Sequence, residues 1–230
     1  MIVWVASFPR SGNTFLRIVL NRLYGVRTST VYDVDGVAAR LGADLIGFEE
    51  RPAAVEAMRE AQEVYFVKTH RPRGDQVSEI DKAICLVRDG RDALVSWARQ
   101  ASEKDRRYED ELRALVTRPE ERGAGQWGRN VLSWLQPQVP HRVVLRYEEL
   151  AREPGGAVER VMTAVLPGLR PAGNAAIPSF AELQQVDARF FRRGCTGTHR
   201  DELPGELHRI FWSQPENAAA MKLLGWQQLA

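Results

Sequence analysis

The segment of residues 2–25 constrains the fold most, because its residues suit a strand, a small polar loop and a helix in succession. Residues 2–5 form an apolar run with β-branched and aromatic side chains, typical of a buried parallel strand. The loop at 7–14 contains Pro and Gly, and apolar residues follow at helical spacing. Such a helix start leaves backbone N–H groups unpaired at the positive end of the dipole. The segment predicts an anion-binding loop; a strand-turn-helix corner without ligand is the alternative.

The loop differs from the nucleotide-binding pattern GxxxxGK[ST] in its charge. Gly12 and Thr14 match the pattern, whereas Ser7 replaces the first Gly and Asn13 replaces the Lys. The Lys of that pattern binds the β and γ phosphates of a nucleoside triphosphate, so its absence argues against ordinary triphosphate hydrolysis. Arg10 instead brings a fixed positive charge with bidentate geometry for an oxyanion.

Length and composition favour one α/β domain over residues 1–230, with 44% hydrophobic and 27% charged residues. The net charge of +2 gives no general support for binding to nucleic acid or to membranes. Cys85 and Cys195 have neither a pairing pattern nor metal-ligand spacing, which favours a reducing compartment. Because the sequence has no apolar run of membrane-span length and no signal-peptide pattern, we expect a cytoplasmic protein.

Strand and helix patterns alternate along the rest of the chain. This alternation predicts a P-loop NTPase-like α/β fold, a parallel sheet flanked by helices on both faces. We expect Trp127 and Trp134 to lie in the core, and the charged residues 102–113 to be a solvated helix or a loop. Further strands are predicted at residues 64–67, 83–87 and 143–145, and further helices at 52–62, 93–100, 126–135, from Pro154 onward, and twice before Trp226.

Chemically useful side chains follow two of these strands. Lys68 and His70 are two residues apart, so they point to the same side of an extended chain. Arg88 follows the next strand, Asp92 is placed to cap the helix after it, and Ser96 lies further along that helix. Ligands of open parallel sheets bind at the carboxyl ends of the strands, which favours a site there. A capping histidine and a salt-bridged turn are the alternatives.

Together these segments resemble the sulfotransferases that use 3′-phosphoadenosine 5′-phosphosulfate (PAPS). The resemblance extends from Val3 to Trp226. Residues 7–15 resemble the loop of the family that binds the 5′-phosphosulfate, whose commoner form is Tyr-Pro-Lys-Ser-Gly-Thr-Thr-Trp. The other matching elements, in the order of the family, are Lys68-Thr69-His70, Arg88 with Ser96, Tyr147, Phe180 after Ser179, and Arg193-Gly194.

The resemblance implies a role for each matching residue. His70 would be the general base, while Lys68 and Arg10 would stabilise the transferred sulfuryl group and the departing phosphate. The acceptor would be a small molecule carrying a hydroxyl or, less favoured, an amine, and no metal is required. The residues implied in binding PAPS are Arg10, Ser11, Gly12, Asn13, Thr14, Phe15, Arg88, Ser96, Tyr147, Phe180, Arg193 and Gly194.

Other functions remain open on the sequence. An ATP-dependent small-molecule kinase would need Mg²⁺ and a Lys at position 13, where Asn13 stands. A non-catalytic nucleotide-binding module would not need His70. The acceptor is expected between His70 and residues 26–63 and 101–126, with Arg106 and Arg107 favouring a polar or acidic one. Oligomeric state is left open.

Overall fold

A five-stranded parallel sheet forms the centre of the computed structural model, which describes residues 1–52, 54–102, 107–172 and 176–226. The order of the strands is β2-β3-β1-β4-β5, and every neighbouring pair is parallel. The predicted α/β fold is thereby confirmed. The strands are β1 (Ile2–Ser7), β2 (Thr28–Thr30), β3 (Tyr65–Thr69), β4 (Lys82–Val87) and β5 (Arg142–Arg146).

Helices connect the strands and follow the last of them. One short 3₁₀ helix, Pro119–Glu121, precedes α7. The α-helices are α1 (Asn13–Tyr24), α2 (Gly36–Leu41), α3 (Ala43–Ile46), α4 (Val55–Glu60), α5 (Gly90–Ala101), α6 (Tyr108–Thr117), α7 (Trp127–Leu135), α8 (Tyr147–Arg152), α9 (Pro154–Val165), α10 (Phe180–Val186), α11 (His199–Glu202), α12 (Gly205–Ser213) and α13 (Pro215–Leu223).

Both faces of the sheet are covered, as the alternation of β1 shows. Successive side chains of a strand point to opposite faces. Trp4 packs in one core cluster with Trp127 and Trp134, which are 1% and 3% exposed. Val3 and Val5 pack in a second cluster with apolar residues of α1 and α9. The expected burial of the two tryptophans is confirmed.

No helix in the described ranges has the length and hydropathy to cross a bilayer.

Local differences from the sequence prediction have physical reasons. Strand β2 was not predicted, because its Thr-Ser-Thr sequence has no apolar run, yet it pairs with β3 at the sheet edge. The predicted helix at 52–62 is shorter, since Ala54 and Ala61 on either side of α4 are both extended. The N-cap of α5 is Asp89, which accepts the Arg91 N–H, so the prediction of Asp92 as cap was wrong.

The register brings three chain segments to one edge of the sheet. Ala6 of β1 is opposite Thr69 of β3, and Ser7 is opposite Leu86 of β4. The residues that follow β1, β3 and β4 therefore lie side by side at the carboxyl ends of the strands. Parallel strands place ligand sites at this edge.

Candidate active site

The loop between β1 and α1 turns sharply in front of the helix. Gly12 caps α1 in the left-handed conformation, with φ of 98°, and no side chain caps the helix. A Cβ on Gly12 would lie 2.6 Å from Cδ2 of Tyr147, so the position requires glycine. Asn13 donates from Nδ2 to the Val5 carbonyl and to Ser7 Oγ, each at 3.1 Å, which ties the helix start to β1. The first N–H groups of α1 thus face the sheet edge.

Arg10 joins this loop to two other parts of the chain. Its φ of 64° is left-handed, unusual for a side-chain-bearing residue. Nε donates to Ser96 Oγ at 3.2 Å, and Nη2 donates to the Phe190 carbonyl at 3.0 Å. The guanidinium lies 4.8 Å from the centroid of the Phe190 ring. The Arg10 side chain therefore reaches α5 and the segment that precedes Arg193.

His70 is held by its backbone and by one ring nitrogen. Its N–H donates to the Tyr32 hydroxyl at 2.9 Å, and its carbonyl accepts from Asn130 at 2.8 Å. Nδ1 is 2.9 Å from the Ser7 carbonyl oxygen, which can only accept, so Nδ1 carries the proton of the neutral ring. Burial and the charge of Lys68 lower the pKa of His70 to about 3. The ring is therefore neutral at pH 7, with Nε2 unprotonated.

Lys68 lies beside this histidine in a largely buried position. Its Nζ is 5.3 Å from the centroid of the Tyr32 ring and 4.0 Å from Asp35 Oδ2. Burial lowers the pKa of Lys68, although the Asp35 carboxylate opposes the shift. The edge thus holds a cation and a neutral imidazole together.

Arg88 connects the loop after β1 to the loop around Cys195. Nη1 donates to the Arg10 carbonyl at 3.0 Å and Nη2 to the Cys195 carbonyl at 2.9 Å. The guanidinium stacks on Tyr147, 4.3 Å from its ring centroid. Nε is buried with no hydrogen-bond partner among the described residues. Arg88 is therefore a buried cation with donor capacity beyond the two carbonyls.

Arg193 and Gly194 lie in a glycine-dependent turn. Gly194 has φ of 62°, and a Cβ there would be 2.4 Å from Cε2 of Phe180, so the Phe180 ring packs directly against it. Arg193 is paired with Glu202 at 3.1 Å and its side chain is 49% exposed. The same carboxylate binds Arg99 and Arg192 at 2.7 and 3.1 Å. This part of the cavity is strongly basic.

Asp92 anchors that turn to α5. Its carboxylate accepts from the N–H of Gly197 at 2.6 Å, the N–H of His199 at 2.9 Å and the hydroxyl of Thr198 at 3.2 Å. His199 Nδ1 is a fourth partner at 2.7 Å. Burial alone would raise the pKa of Asp92, but the bonds from His199 and from the backbone lower it to about 2. Asp92 thus binds the chain after Arg193 rather than capping its own helix.

Most of the groups described above line one cavity of about 1220 Å³, whereas Asp92 does not. Of the residues implied in catalysis or in binding PAPS, Ser11 alone does not line it, and its side chain is fully buried. Arg107, expected near the acceptor, does not line it either. No group of three or more His, Cys, Asp and Glu side chains among the described residues could hold a metal. The residues that the structure brings together are Arg10, Gly12, Asn13, Thr14, Phe15, Lys68, His70, Arg88, Ser96, Tyr147, Phe180, Arg193 and Gly194.

One protein-family model matches most of the chain. The model of the family described as the sulfotransferase domain matches residues 2–163. The chain belongs to the sulfotransferase domain family. The match includes the segments from Arg10 to Tyr147, and the elements at Phe180 and Arg193 follow it in the chain.

Solved structures share the fold of this sulfotransferase domain. Mouse sulfotransferase SULT7A1, described as complexed with PAP, superposes with a TM-score of 0.70 over 98% of this chain and 89% of that one, at 17% identity. Retinol dehydratase, described in complex with androsterone and the inactive cofactor PAP, superposes with a TM-score of 0.61 over 100% and 82%, at 21% identity. At these identities the likeness concerns the fold.

A curated relative matches a shorter stretch of the sulfotransferase domain. A WSCD family member of Drosophila pseudoobscura pseudoobscura, GA21586, is 33% identical over 96 residues. The matched stretch is 42% of this chain and 27% of that protein, so the chain spans about a quarter of the length of the curated relative.

Sequence reasoning missed several residues that line the cavity or lie behind its wall. Tyr32 follows the unpredicted β2, and Asp35 precedes the short α2; an Asp before a helical pattern is a capping signal that could have marked it. Arg17 interrupts the apolar run of α1, and a charge in such a run signals a buried partner. Arg107 precedes α6, whereas Arg106 lies outside the described residues. The missed residues that line the cavity include Tyr32, Val37, Arg40, Trp97, Gln100, Glu111 and Arg122.

Proposed function

We propose that this chain is a PAPS-dependent sulfotransferase that moves the sulfuryl group to a hydroxyl, or to an amine, of a small-molecule acceptor. The observation that carries the proposal is the position of His70 and Lys68 beside the loop between β1 and α1. A neutral imidazole, a buried ammonium and an anion-binding helix start meet at one edge of the sheet. Membership of the sulfotransferase family supports the reading.

His70 is the proposed general base. Because Nδ1 is protonated towards the Ser7 carbonyl, Nε2 keeps a lone pair for the proton of the acceptor hydroxyl. The low pKa of His70, about 3, keeps this lone pair available at neutral pH. The proton moves to Nε2 as the acceptor oxygen forms its bond to sulfur and the bond from sulfur to the phosphate oxygen breaks. The negative charge of bound PAPS would make the imidazolium easier to form.

Lys68, Arg10 and Thr14 are proposed to neutralise charge during transfer. PAPS supplies the sulfuryl group, whose transfer places negative charge on the departing phosphate. Lys68 holds a positive charge in a largely buried place, where it acts more strongly than in water. Thr14 and the first N–H groups of α1 line the same cavity. Arg10 adds a cation whose side chain is bonded to Ser96.

The other end of the cavity is proposed to hold the nucleotide. Arg88 has a buried Nε without a partner among the described residues, and it lies near the Arg193 turn, so the region offers donors for a 3′-phosphate. Ser96 would contribute its hydroxyl. Tyr147 and Phe180 offer aromatic faces for adenine, while Gly12 and Gly194 allow these rings to approach. The PAP named with the two solved relatives agrees with this assignment.

The acceptor is proposed to bind between His70 and the wall formed by residues 32–40 and 97–101. Tyr32, Val37 and Trp97 provide apolar area there, and Gln100 provides a polar group. A kinase is less well supported, because Asn13 occupies the place of the phosphate-binding Lys and its amide is committed to Val5 and Ser7.

Calorimetric titration tests the donor site directly. We expect adenosine 3′,5′-bisphosphate (PAP) to bind without metal, and ADP and ATP to bind far more weakly with or without Mg²⁺. Conversion of PAPS to PAP in the presence of a panel of alcohols, phenols and amines, followed by chromatography, tests transfer. Preference for ATP with Mg²⁺ would overturn the proposal in favour of a kinase.

A further inference from the structure

A buried carboxylate lies behind the reaction edge and is not used by the proposed chemistry. Asp35 stands between β2 and α2, and its side chain is 0% exposed. Oδ1 accepts the N–H groups of Val37 and Ala38 at 3.0 Å each, which caps α2. Oδ2 accepts Arg17 Nη1 at 2.7 Å and lies 4.0 Å from Lys68 Nζ. One oxygen therefore fixes a helix, and the other faces two cations.

Arg17 is the nearer of these two cations. It projects from α1, it is 0% exposed, and its Nε donates to Thr28 Oγ1 of β2 at 2.7 Å. This pairing anchors Asp35 to the helix that begins at the anion-binding loop. A hydrogen-bonded ion pair is stronger than a more distant one. Asp35 therefore interacts more strongly with Arg17 than with Lys68.

Lys68 is held less tightly than Arg17. At 4.0 Å its ammonium is within ion-pair range of Asp35 but beyond a hydrogen bond, and its other neighbour is the face of the Tyr32 ring. Neither neighbour uses the N–H donors of the ammonium in a close bond. Lys68 thus has a counter-charge behind it and donors left for the cavity that it lines.

We propose that Asp35 is a positioning residue, which keeps the Lys68 ammonium charged and aimed at the transferred group, while Arg17 prevents Asp35 from capturing it. The inference rests on the proposed function only in the use made of Lys68. The Asp35 cap joins this device to α2, whose Gly36, Val37 and Arg40 line the cavity.

The electrostatics of the cluster agree with this arrangement. Burial lowers the pKa of Lys68, Asp35 raises it, and Arg17 lowers it by a smaller effect. Burial raises and the charges of Arg17 and Lys68 lower the pKa of Asp35, with a net fall. The other groups around Lys68 are neutral His70, with a pKa of about 3, the Tyr32 ring, and Arg71 at 5.4 Å from that ring. Asp35 is thus the carboxylate that faces Lys68 among the described residues.

The test is Asp35→Asn, which removes the charge but keeps a side chain that caps helices well. Lysine amino groups labelled with ¹³C and ¹⁵N are titrated by NMR, and the Lys68 signal is assigned by its loss in Lys68→Arg. We expect the Lys68 signal to titrate at lower pH in Asp35→Asn. Turnover followed across the alkaline range should fall with the charged fraction of Lys68, so its alkaline decline should move to lower pH by the same displacement. PAP binding should change little.

Two further variants keep the test decisive. In Arg17→Met with Asp35→Asn, no unpaired guanidinium remains in the core, so the double variant should fold even where the single variant does not. Lys68 should still titrate below its wild-type pH, because the Asp35 effect exceeds that of Arg17. Asp44→Asn, an exposed carboxylate on α3, is the matched control and should leave Lys68 unchanged.

The outcomes separate the two proposals. An unchanged Lys68 titration in both the single and double variants would overturn the positioning role. A displaced titration in a protein that transfers no sulfuryl group from PAPS would support the Asp35 arrangement and refute the proposed reaction. A displaced Lys68 titration without a matching displacement of the alkaline decline in turnover would refute the use of Lys68 as a charged group.

Discussion

Asp92 and Asp35 are both buried behind the cavity and both accept backbone N–H groups, yet their remaining partners differ. Asp92 accepts from the backbone of residues 197 and 199, a hydroxyl and a histidine, so it fixes a loop. Asp35 faces two cations, so it mainly controls charge. The two ends of one cavity are therefore held by different kinds of interaction, backbone hydrogen bonds at one end and ion pairs at the other. We call these ends the nucleotide half (Arg88, Tyr147, Arg193) and the transfer half (Tyr32, Lys68, His70).

The largest effect expected from this comparison is on the transfer half. In His70→Asn the amide can still donate to the Ser7 carbonyl, but the basic Nε2 is lost. Turnover of PAPS should fall by about 10²- to 10⁴-fold, the usual contribution of a general base. Calorimetric affinity for PAP should stay the same, because the nucleotide half is untouched. His141→Asn, which changes a histidine outside the cavity lining, is the control.

The pH dependence of the wild-type protein sharpens the same prediction. Because the pKa of His70 is lowered to about 3, the ring is already a free base well below neutral pH. The profile of kcat/KM, which reports groups of the free enzyme, should show no inflection near pH 6.5. Retained turnover in His70→Asn would show that the base is another group.

The second effect is on the nucleotide half and should leave the transfer half intact. Arg88→Met keeps an unbranched apolar side chain but removes the charged donors and the guanidinium that stacks on Tyr147. Affinity for PAP should fall by about 1.5 to 3 kcal/mol, the scale of hydrogen bonds to a charged group. Adenosine 5′-phosphate, which lacks the 3′-phosphate, should bind both proteins alike. Equal losses for the two nucleotides would mean that Arg88 only joins the Arg10 and Cys195 loops.

A third change tests whether Asp92 acts through the loop. Asp92→Asn places an amide against donors of residues 197–199, so PAP affinity should fall by about tenfold, or 1.4 kcal/mol, while the Lys68 titration stays unchanged. Surface Asp44→Asn again serves for comparison. Loss of turnover without loss of PAP affinity would contradict the division into halves.

The acid stability of Asp92→Asn offers a second measurement. The folded pKa of Asp92, about 2, lies below its ordinary value of 3.8, so the ionised group stabilises the fold above pH 3.8. This contribution is lost as the pH falls towards 2. Denaturant unfolding between pH 5 and pH 2 should therefore show a smaller acid loss in Asp92→Asn, by about 2 kcal/mol. Identical pH curves for both proteins would refute this coupling.

The halves also differ in how far the sequence predicts them. Arg10, Gly12, His70 and Arg88 each follow a strand within a few residues, and Lys68 lies near the end of β3. Local pattern and topology therefore predict their common edge. Local pattern does not reveal pairings between distant segments, such as Arg99 with Glu202. It also placed the α5 cap on Asp92, because two acidic residues three apart fit the same signal.

The transfer half was less predictable because it depends on a short polar strand. Strand β2 has three residues and is stabilised by its ladder with β3 rather than by its own apolar content. Tyr32 and Asp35 follow that strand. Because the strand was not predicted, the positions of these two residues at the sheet edge were not predicted either. The fold was predicted from apolar runs, whereas the positions of Tyr32 and Asp35 depend on long-range polar contacts.

The smallest expected effect concerns Tyr32, which belongs to the transfer half through its ring and its hydroxyl. Tyr32→Phe keeps the ring beside Lys68 but removes the oxygen that accepts the His70 N–H at 2.9 Å. The free energy of unfolding should fall by about 1 kcal/mol, the net value of one hydrogen bond. Turnover should fall only a fewfold, because Nδ1 of His70 is still held by the Ser7 carbonyl.

The contrast with Tyr147 of the nucleotide half makes this prediction specific. Tyr147→Phe keeps the ring that packs under Arg88, so it should leave turnover and PAP affinity near the wild-type values. A large loss of turnover in Tyr32→Phe, with PAP affinity unchanged, would show that the backbone bond at His70 determines the placement of the imidazole. The Ser7 contact alone would then be insufficient, and the transfer half would depend on hydrogen-bonded backbone as much as the nucleotide half does.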